Sequence, residues 1–169
     1  MPDANARLHQ LRQWSAARHA LAIDGLRLEL AAGDASFRRY YRLTLPDAST
    51  RIVMDAPPEQ EDSRPFVTIA EQWLTAGLPV PRLYAADLEA GFIELDDLGD
   101  SPLQRRLDGN EGQMTQRWFE RAIETIHELQ SRTSPEPLPA YDAALLAAEL
   151  ELFPAWCLSN WLGMPAPAG

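Results

Sequence analysis

Apolar positions change their period three times along this chain. From Ala4 to Ala22, with Ile23 just beyond, Leu8, Leu11, Trp14 and Leu21 recur at mostly helical spacing with arginines between them, which predicts an opening amphipathic helix. Period two then takes over. Leu26, Leu28 and Leu30 alternate with Arg27 and Glu29, Tyr41, Leu43 and Leu45 follow, and Arg51 to Met54 forms a third short run. Gly33-Asp34 and Pro46 to Ser49 carry turn residues between these runs, so the three are expected to pair as a small antiparallel sheet. Ser63 to Ala76 returns to helical spacing through Phe66, Ile69, Ala70, Trp73 and Leu74. Gly77 stops that helix, and Pro79 and Pro81 enforce an extended continuation. Val80 to Ala86 and Phe92 to Leu95 read as two further strands about a turn at Glu89-Ala90-Gly91.

Beyond Leu98-Gly99 the strand pattern does not recur. Thr115 to Arg132 carries a wide helical stripe of Trp118, Phe119, Ala122, Ile123, Ile126 and Leu129. Ser134 to Pro139 reads as a linker, Tyr141 to Leu162 as a helix broken at Pro154, and Pro165 to Gly169 as a tail. The expected fold class is α+β. Five strands with one helix among them, a short connector and then helices only is the order of a protein-kinase-like small lobe followed by the first helices of a large lobe. The expected boundaries are 1–95 for the small lobe, 96–100 for the hinge and 101–169 for an incomplete helical lobe. An unrelated α+β domain would share this pattern.

Composition narrows the chemistry. The 169 residues are 46% apolar, enough for a buried core, and carry a formal charge of -10, which repels a nucleic-acid backbone. No apolar run approaches the roughly 18 residues needed to cross a bilayer, and no secretory leader pattern is visible. A cytoplasmic protein is therefore expected, binding neither nucleic acid nor membrane. All 15 basic residues are arginines. Without a lysine there is no Schiff base and no Walker-type phosphate loop. One cysteine, Cys157, and three scattered histidines, His9, His19 and His127, give no zinc spacing, and no metal ligand is assigned.

Four segments could carry chemistry. Gly33 to Arg42 lies between the first two strands, where a kinase-like fold closes a loop over nucleotide phosphates. Turn amides near Gly33 and Asp34, the Ser36 hydroxyl, Phe37, Arg38 and Arg39 are its candidate contacts; an ordinary hairpin with a solvated basic face is the alternative. Met54 and Asp55 end the third strand, where protein kinases keep their phosphate-holding lysine. An arginine among Arg38, Arg39, Arg42 and Arg51 could take that role, or backbone amides with magnesium; Asp55 could orient an arginine or cap the proline turn. Glu71 stands on the helix that braces this cation in kinases, or simply faces solvent. Phe92 to Gly99 suits a hinge, with Glu94 and Leu95 offering a carbonyl and an amide to adenine and Asp97-Leu98-Gly99 imitating the kinase magnesium motif. That motif follows a His-x-Asp loop in kinases, and His-x-Asp occurs nowhere in these 169 residues.

Ser36 to Arg42, Val53 to Pro58, Arg64-Pro-Phe66, Gly77 to Arg82, Leu95 to Gly99 and Leu152 to Trp156, in that order, resemble the aminoglycoside-phosphotransferase-like kinases. More narrowly they resemble the bacterial branch that phosphorylates the anomeric hydroxyl of N-acetylmuramate and N-acetylglucosamine in cell-wall recycling. The resemblance implies ATP and Mg2+ as cofactors and a small amino sugar as acceptor. It also implies that the catalytic aspartate and the magnesium ligands lie beyond this chain, so that no catalytic residue is assigned within it and the chain alone does not turn over. Its helices would then await the missing C-terminal half or associate with each other. Two alternatives remain open: a kinase-fold enzyme acting on an aminoglycoside, choline or homoserine-like alcohol, and a non-catalytic nucleotide- or partner-binding module.

Overall fold

The computed structural model describes residues 4–33, 37–103, 113–136 and 138–165. The chain divides into two compact units, Met1–Thr133 and Ser134–Gly169.

The first unit opens with helix α1, Ala4–His19. Ala20, in the left-handed region at φ 51, ends it three residues before Ile23 begins a single turn of 3-10 helix. Five strands follow: β1 Arg27–Gly33, β2 Arg39–Thr44, β3 Thr50–Asp55, β4 Leu83–Asp87 and β5 Phe92–Asp96, with α2 Arg64–Thr75 between β3 and β4. They form one antiparallel sheet in the order β1-β2-β3-β5-β4. The expected five-stranded sheet with its helix is thus present, although Val80 to Arg82 stays outside β4, as prolines without a donor require.

Period-two alternation gives the sheet two buried faces. On the outer face Tyr41, Leu43, Val53 and Phe92 pack with Leu11 and Ala16 of α1. On the inner face Met54, Ile93 and Leu95 pack with Tyr40, Ile52, and Phe66 and Val67 of α2. Full burial of a side chain such as Leu11 or Leu43 is worth roughly 2 kcal/mol, and both are completely enclosed. Leu30, which pairs with Tyr41 just before a register shift between Leu30 and Ala32, is nevertheless 66% exposed.

Two glycines fix the turns that deliver β4 and β5. Gly77, at φ +76, closes α2 with Leu78 N–H on Trp73 C=O, the Schellman pattern. Gly91, at φ +73, carries the β4–β5 turn, and its carbonyl accepts the Ala56 N–H at 2.8 Å. Helix α3, Gln113–Arg132, completes the unit. Its apolar stripe is exposed at Phe119, Ile123 and Ile126.

In the second unit α4, Ala143–Leu152, starts on an Asp142 cap that accepts the Leu145 N–H, and continues as a π-helical segment, Phe153–Trp161. Pro154 has no N–H to carry the α ladder forward, and the wider turn takes over, with Leu162 N–H on Cys157 C=O at 3.0 Å. Among the described residues no helix is long and apolar enough to cross a membrane.

Candidate functional site

The inner sheet face ends in a cavity of about 240 Å³. Tyr40 and Arg42 of β2, Ile52 of β3 and Leu95 of β5 line it because alternation turns them all inward; Asp97 to Asp100 closes its rim. β5 lies between β3 and β4, so the backbone groups of Glu94 and Leu95 belong to the sheet ladders. Asp96 closes the strand, accepting the Arg82 N–H at 2.9 Å and the Tyr84 hydroxyl at 2.6 Å, and these donors hold its carboxyl below the ordinary range, Tyr84 most of all. The first backbone clear of the sheet is Asp97-Leu98-Gly99. Asp97 Oδ1 accepts the Gly99 N–H at 2.9 Å across this bend, and Gly99 sits at φ +79.

Arg42 bridges that bend to the sheet. Its guanidinium donates to both Asp97 oxygens and, at 2.8 Å each, to both Asp100 oxygens. The fork presents five donors in a plane, which suits two carboxylates at once. The Asp97 carboxyl, whose side chain is 5% exposed, is held at about 2 by these bonds above all, and the Arg42 guanidinium is pushed up by the same pairs.

The other sequence candidates separate by face. Arg38 shares the inner face with Tyr40 and Arg42. Its Nε lies 3.4 Å from Glu61 Oε2 and its guanidinium 5.9 Å from the Phe66 ring centroid. The exposed Phe37 donates its N–H to Glu61 Oε1 at 3.3 Å. Met54 is fully enclosed in the inner apolar cluster, and Gly33 ends β1. Glu71 is exposed on α2, where its carbonyl accepts the Thr75 hydroxyl. Arg39 is exposed at the start of β2 and pairs in register with Asp55. Asp34 and Ser36 lie outside the described residues.

Glu94 and Asp55 point to the outer face. Glu94, 1% exposed, meets Arg18 Nε at 3.1 Å, and His19 Nε2 lies 3.1 and 3.2 Å from its two oxygens. Asp55 pairs with Arg7, which also donates to the Ala90 carbonyl at 2.8 Å and lies 4.7 Å from the Phe92 ring centroid. Burial pushes the Asp55 carboxyl up against the opposing pull of Arg7. Sequence reasoning allowed Asp55 to orient an arginine without finding Arg7, and it missed Glu61 altogether. Glu61 has no signal beyond its place in an acidic turn; its contact with Arg38 becomes visible only once β3 and β2 are paired.

Among the described residues no group of three His, Cys, Asp or Glu side chains could hold a metal ion.

Residues 27–164 match the model of the phosphotransferase enzyme family. The N-acetylmuramate/N-acetylglucosamine kinase of Pseudomonas aeruginosa is 47% identical over 138 residues, which cover 79% of this chain and 38% of that protein. The protein of the same name from Pseudomonas putida is 40% identical over 172 residues, 97% of this chain and 50% of its own length. That of Neisseria meningitidis is 35% identical over 137 residues, 80% and 40% respectively. The chain thus spans half or less of the length of these relatives. With 138 of its residues inside the matched region and the sheet, helix and bend all falling there, the chain belongs to the phosphotransferase enzyme family.

Proposed function

We propose that this chain is the nucleotide-holding part of a kinase that transfers the γ-phosphoryl group of ATP to the anomeric hydroxyl of N-acetylmuramate or N-acetylglucosamine, in the cytoplasm and in the service of cell-wall recycling. One observation carries the reading. The inner-face cavity offers apolar side chains, Ile52 and Leu95, beside a stretch of backbone that has just left the ladders at Asp97 and Leu98. A planar base needs that combination: flat apolar contact on its faces and a main-chain donor and acceptor at its edge. The residues fit adenine. The hinge reading moves two or three residues along from Glu94 and Leu95, whose ladders leave Leu95 its side chain as contact and leave Glu94 to the outer face.

The phosphates would then extend toward the loop from Gly33 to Arg39, with Asp34, Ser36 and Phe37 as its candidate contacts, and Arg39 at its far end. Phosphoryl transfer rests on positioning and on charge held around the γ-phosphate, which magnesium helps to supply when bound. The described residues offer magnesium no cage, so no step is assigned to it here. His-x-Asp is absent from the 169 residues. Nucleotide binding is therefore assigned to this chain, and transfer to the chain joined to the remaining length of its relatives, whose names supply the amino-sugar acceptor.

The test has two arms. Calorimetric titration of the chain with ATP and magnesium should show saturable one-to-one binding. A chimera carrying the remaining C-terminal part of the Pseudomonas aeruginosa relative should phosphorylate N-acetylmuramate, while the chain alone does not. No binding in the first arm contradicts the nucleotide reading, and a chimera that hydrolyses ATP without phosphorylating either amino sugar contradicts the acceptor.

A further inference from the structure

We infer that Arg42 is the positioning residue of the nucleotide site: its grip on Asp97 and Asp100 fixes the bend after β5 so that the main chain at Asp97 and Leu98 reads the edge of the base, and selectivity for adenine follows from that grip. The inference rests on the nucleotide reading above and adds what makes its base contact selective.

The strand side of the grip is rigid. Arg42 lies in β2 between two antiparallel neighbours, opposite Glu29 of β1 and Ile52 of β3, so its backbone is tied on both sides. Its side chain lines the cavity with those of Tyr40 and Ile52. The bend has no ladder of its own. β5 ends at Asp96, and the residues that follow close the cavity rim, with Gly99 in the left-handed region at φ +79. Backbone that is not held before binding must be ordered by the ligand, which weakens affinity and leaves its donors and acceptors without a fixed direction.

Two edges of one guanidinium supply the constraint. Nε and Nη2 donate to the two oxygens of Asp97, and Nη1 and Nη2 donate to the two oxygens of Asp100, the latter pair at 2.8 Å each. A planar fork engaged along both edges fixes the distance and tilt of the residues it joins, which a lysine ammonium, a point charge, does not. Asp97 passes the constraint on. Its Oδ1 also accepts the Gly99 N–H at 2.9 Å, so the bend is closed on the same carboxylate that Arg42 holds. One guanidinium against two carboxylates leaves the cluster with net negative charge, which repels a phosphate and tolerates a neutral base. Arg42 therefore acts through the bend and makes no bond to the nucleotide.

The test measures adenosine and inosine binding to the whole chain by calorimetry. Inosine keeps the size and faces of the purine and exchanges acceptor for donor along its edge. The unsubstituted chain should prefer adenosine by at least about 10-fold, the effect of leaving a main-chain donor or acceptor unpaired. Arg42→Met keeps the apolar stem in the cavity; adenosine should weaken about 10-fold and inosine less than about 2-fold, so that the preference largely vanishes. Arg42→Lys should resemble Arg42→Met, because it restores the charge without the fork. Asp100→Asn, at a side chain 69% exposed, weakens one edge and should reduce the preference about 3-fold. Arg64→Met removes a different arginine of the same charge, 75% exposed beside Asp62, and should leave the preference as it is.

Undiminished preference in Arg42→Met, or full preference in Arg42→Lys, overturns the inference. So does an equal loss of both nucleosides, which marks a purely structural role. If thermal melts show that Arg42→Met does not fold, Asp100→Asn decides by the same ratio, and an unchanged preference there overturns the inference. A chain that prefers adenosine with or without Arg42 removes this inference and leaves the nucleotide reading intact. A chain that binds both nucleosides equally has no selectivity for Arg42 to set, and the inference fails while the seat stands; one that binds neither removes both.

Discussion

Arg7 supplies the sharpest test of how α1 is held to the sheet. It reaches Asp55 across 48 residues of sequence, and the two side chains are 12% and 6% exposed. Replacing it in Arg7→Met keeps an apolar stem over Phe92 and removes the charge together with the bond to Ala90. Stripping one partner from a buried pair strands the other, at a cost of about 3–5 kcal/mol. Arg7 keeps some access to water and methionine keeps its packing, so the lower end, about 3 kcal/mol, applies at pH 7. The pH dependence follows from the remaining carboxylate. Burial already holds Asp55 above its ordinary range while Arg7 pulls it down, and without Arg7 the rise goes unopposed. A carboxyl with a raised folded-state pKa costs stability above that pKa, and the cost fades as pH falls toward its unfolded value near 4. Urea unfolding followed by far-ultraviolet circular dichroism should therefore show a penalty of about 3 kcal/mol at pH 7 shrinking to about 1 kcal/mol near pH 4. The double variant Arg7→Met/Asp55→Asn should be more stable at pH 7 than Arg7→Met alone. A penalty below about 1 kcal/mol at pH 7, or one of equal size at both pH values, would refute the buried-pair reasoning.

Asp97 gives the opposite sign. Its folded pKa of about 2 lies below the unfolded value, so its contribution is complete above pH 4 and is lost as pH falls from there toward 2. Discounted for the partly solvated Arg42, it is worth about 1 kcal/mol, and Asp97→Asn should cost that much at pH 6 and only a small fraction of it at pH 2 in acid-unfolding curves. At Gly91 an added Cβ would stand 2.1 Å from the Ala56 carbonyl oxygen, in a backbone conformation at φ +73. Gly91→Ala should destabilise by about 3 kcal/mol in thermal melts, whereas Gly99→Ala, at φ +79 with nothing within 4 Å, should cost only about 1 kcal/mol.

The sheet was legible because β2, β3 and β5 each carry an alternation that survives on both faces, and the turns between them contain residues with a single structural use. Its exceptions are long-range. The register shift between Leu30 and Ala32 sits in the pairing with β2 and has no local signal. Glu94 looked like part of an apolar strand running into a hinge. It is buried because α1 brings Arg18 and His19 over the outer face from 75 residues away, and periodicity carries no information about that contact. The same limit hid Glu61. A glutamate on α2 is where the protein-kinase pattern directs attention, but the carboxylate beside the inner-face Arg38 is Glu61, set by a Pro-Pro turn whose direction depends on how β3 ends. Asp97 was read as a mimic of a magnesium motif; the structure gives its carboxylate to Arg42 and leaves the neighbouring backbone to face the cavity rim.

The proposed function requires that an adenine nucleotide seat itself against the inner sheet face at the end of β5. Amide chemical-shift mapping of the isotope-labelled chain during an ATP titration reads this directly. The predicted result is saturable shifts at Tyr40, Ile52, Leu95 and Asp97 through Gly99, with α1 and the outer face unmoved. Shifts confined to α1 and its Asp55 and Glu94 contacts, or none at saturating nucleotide, would contradict it.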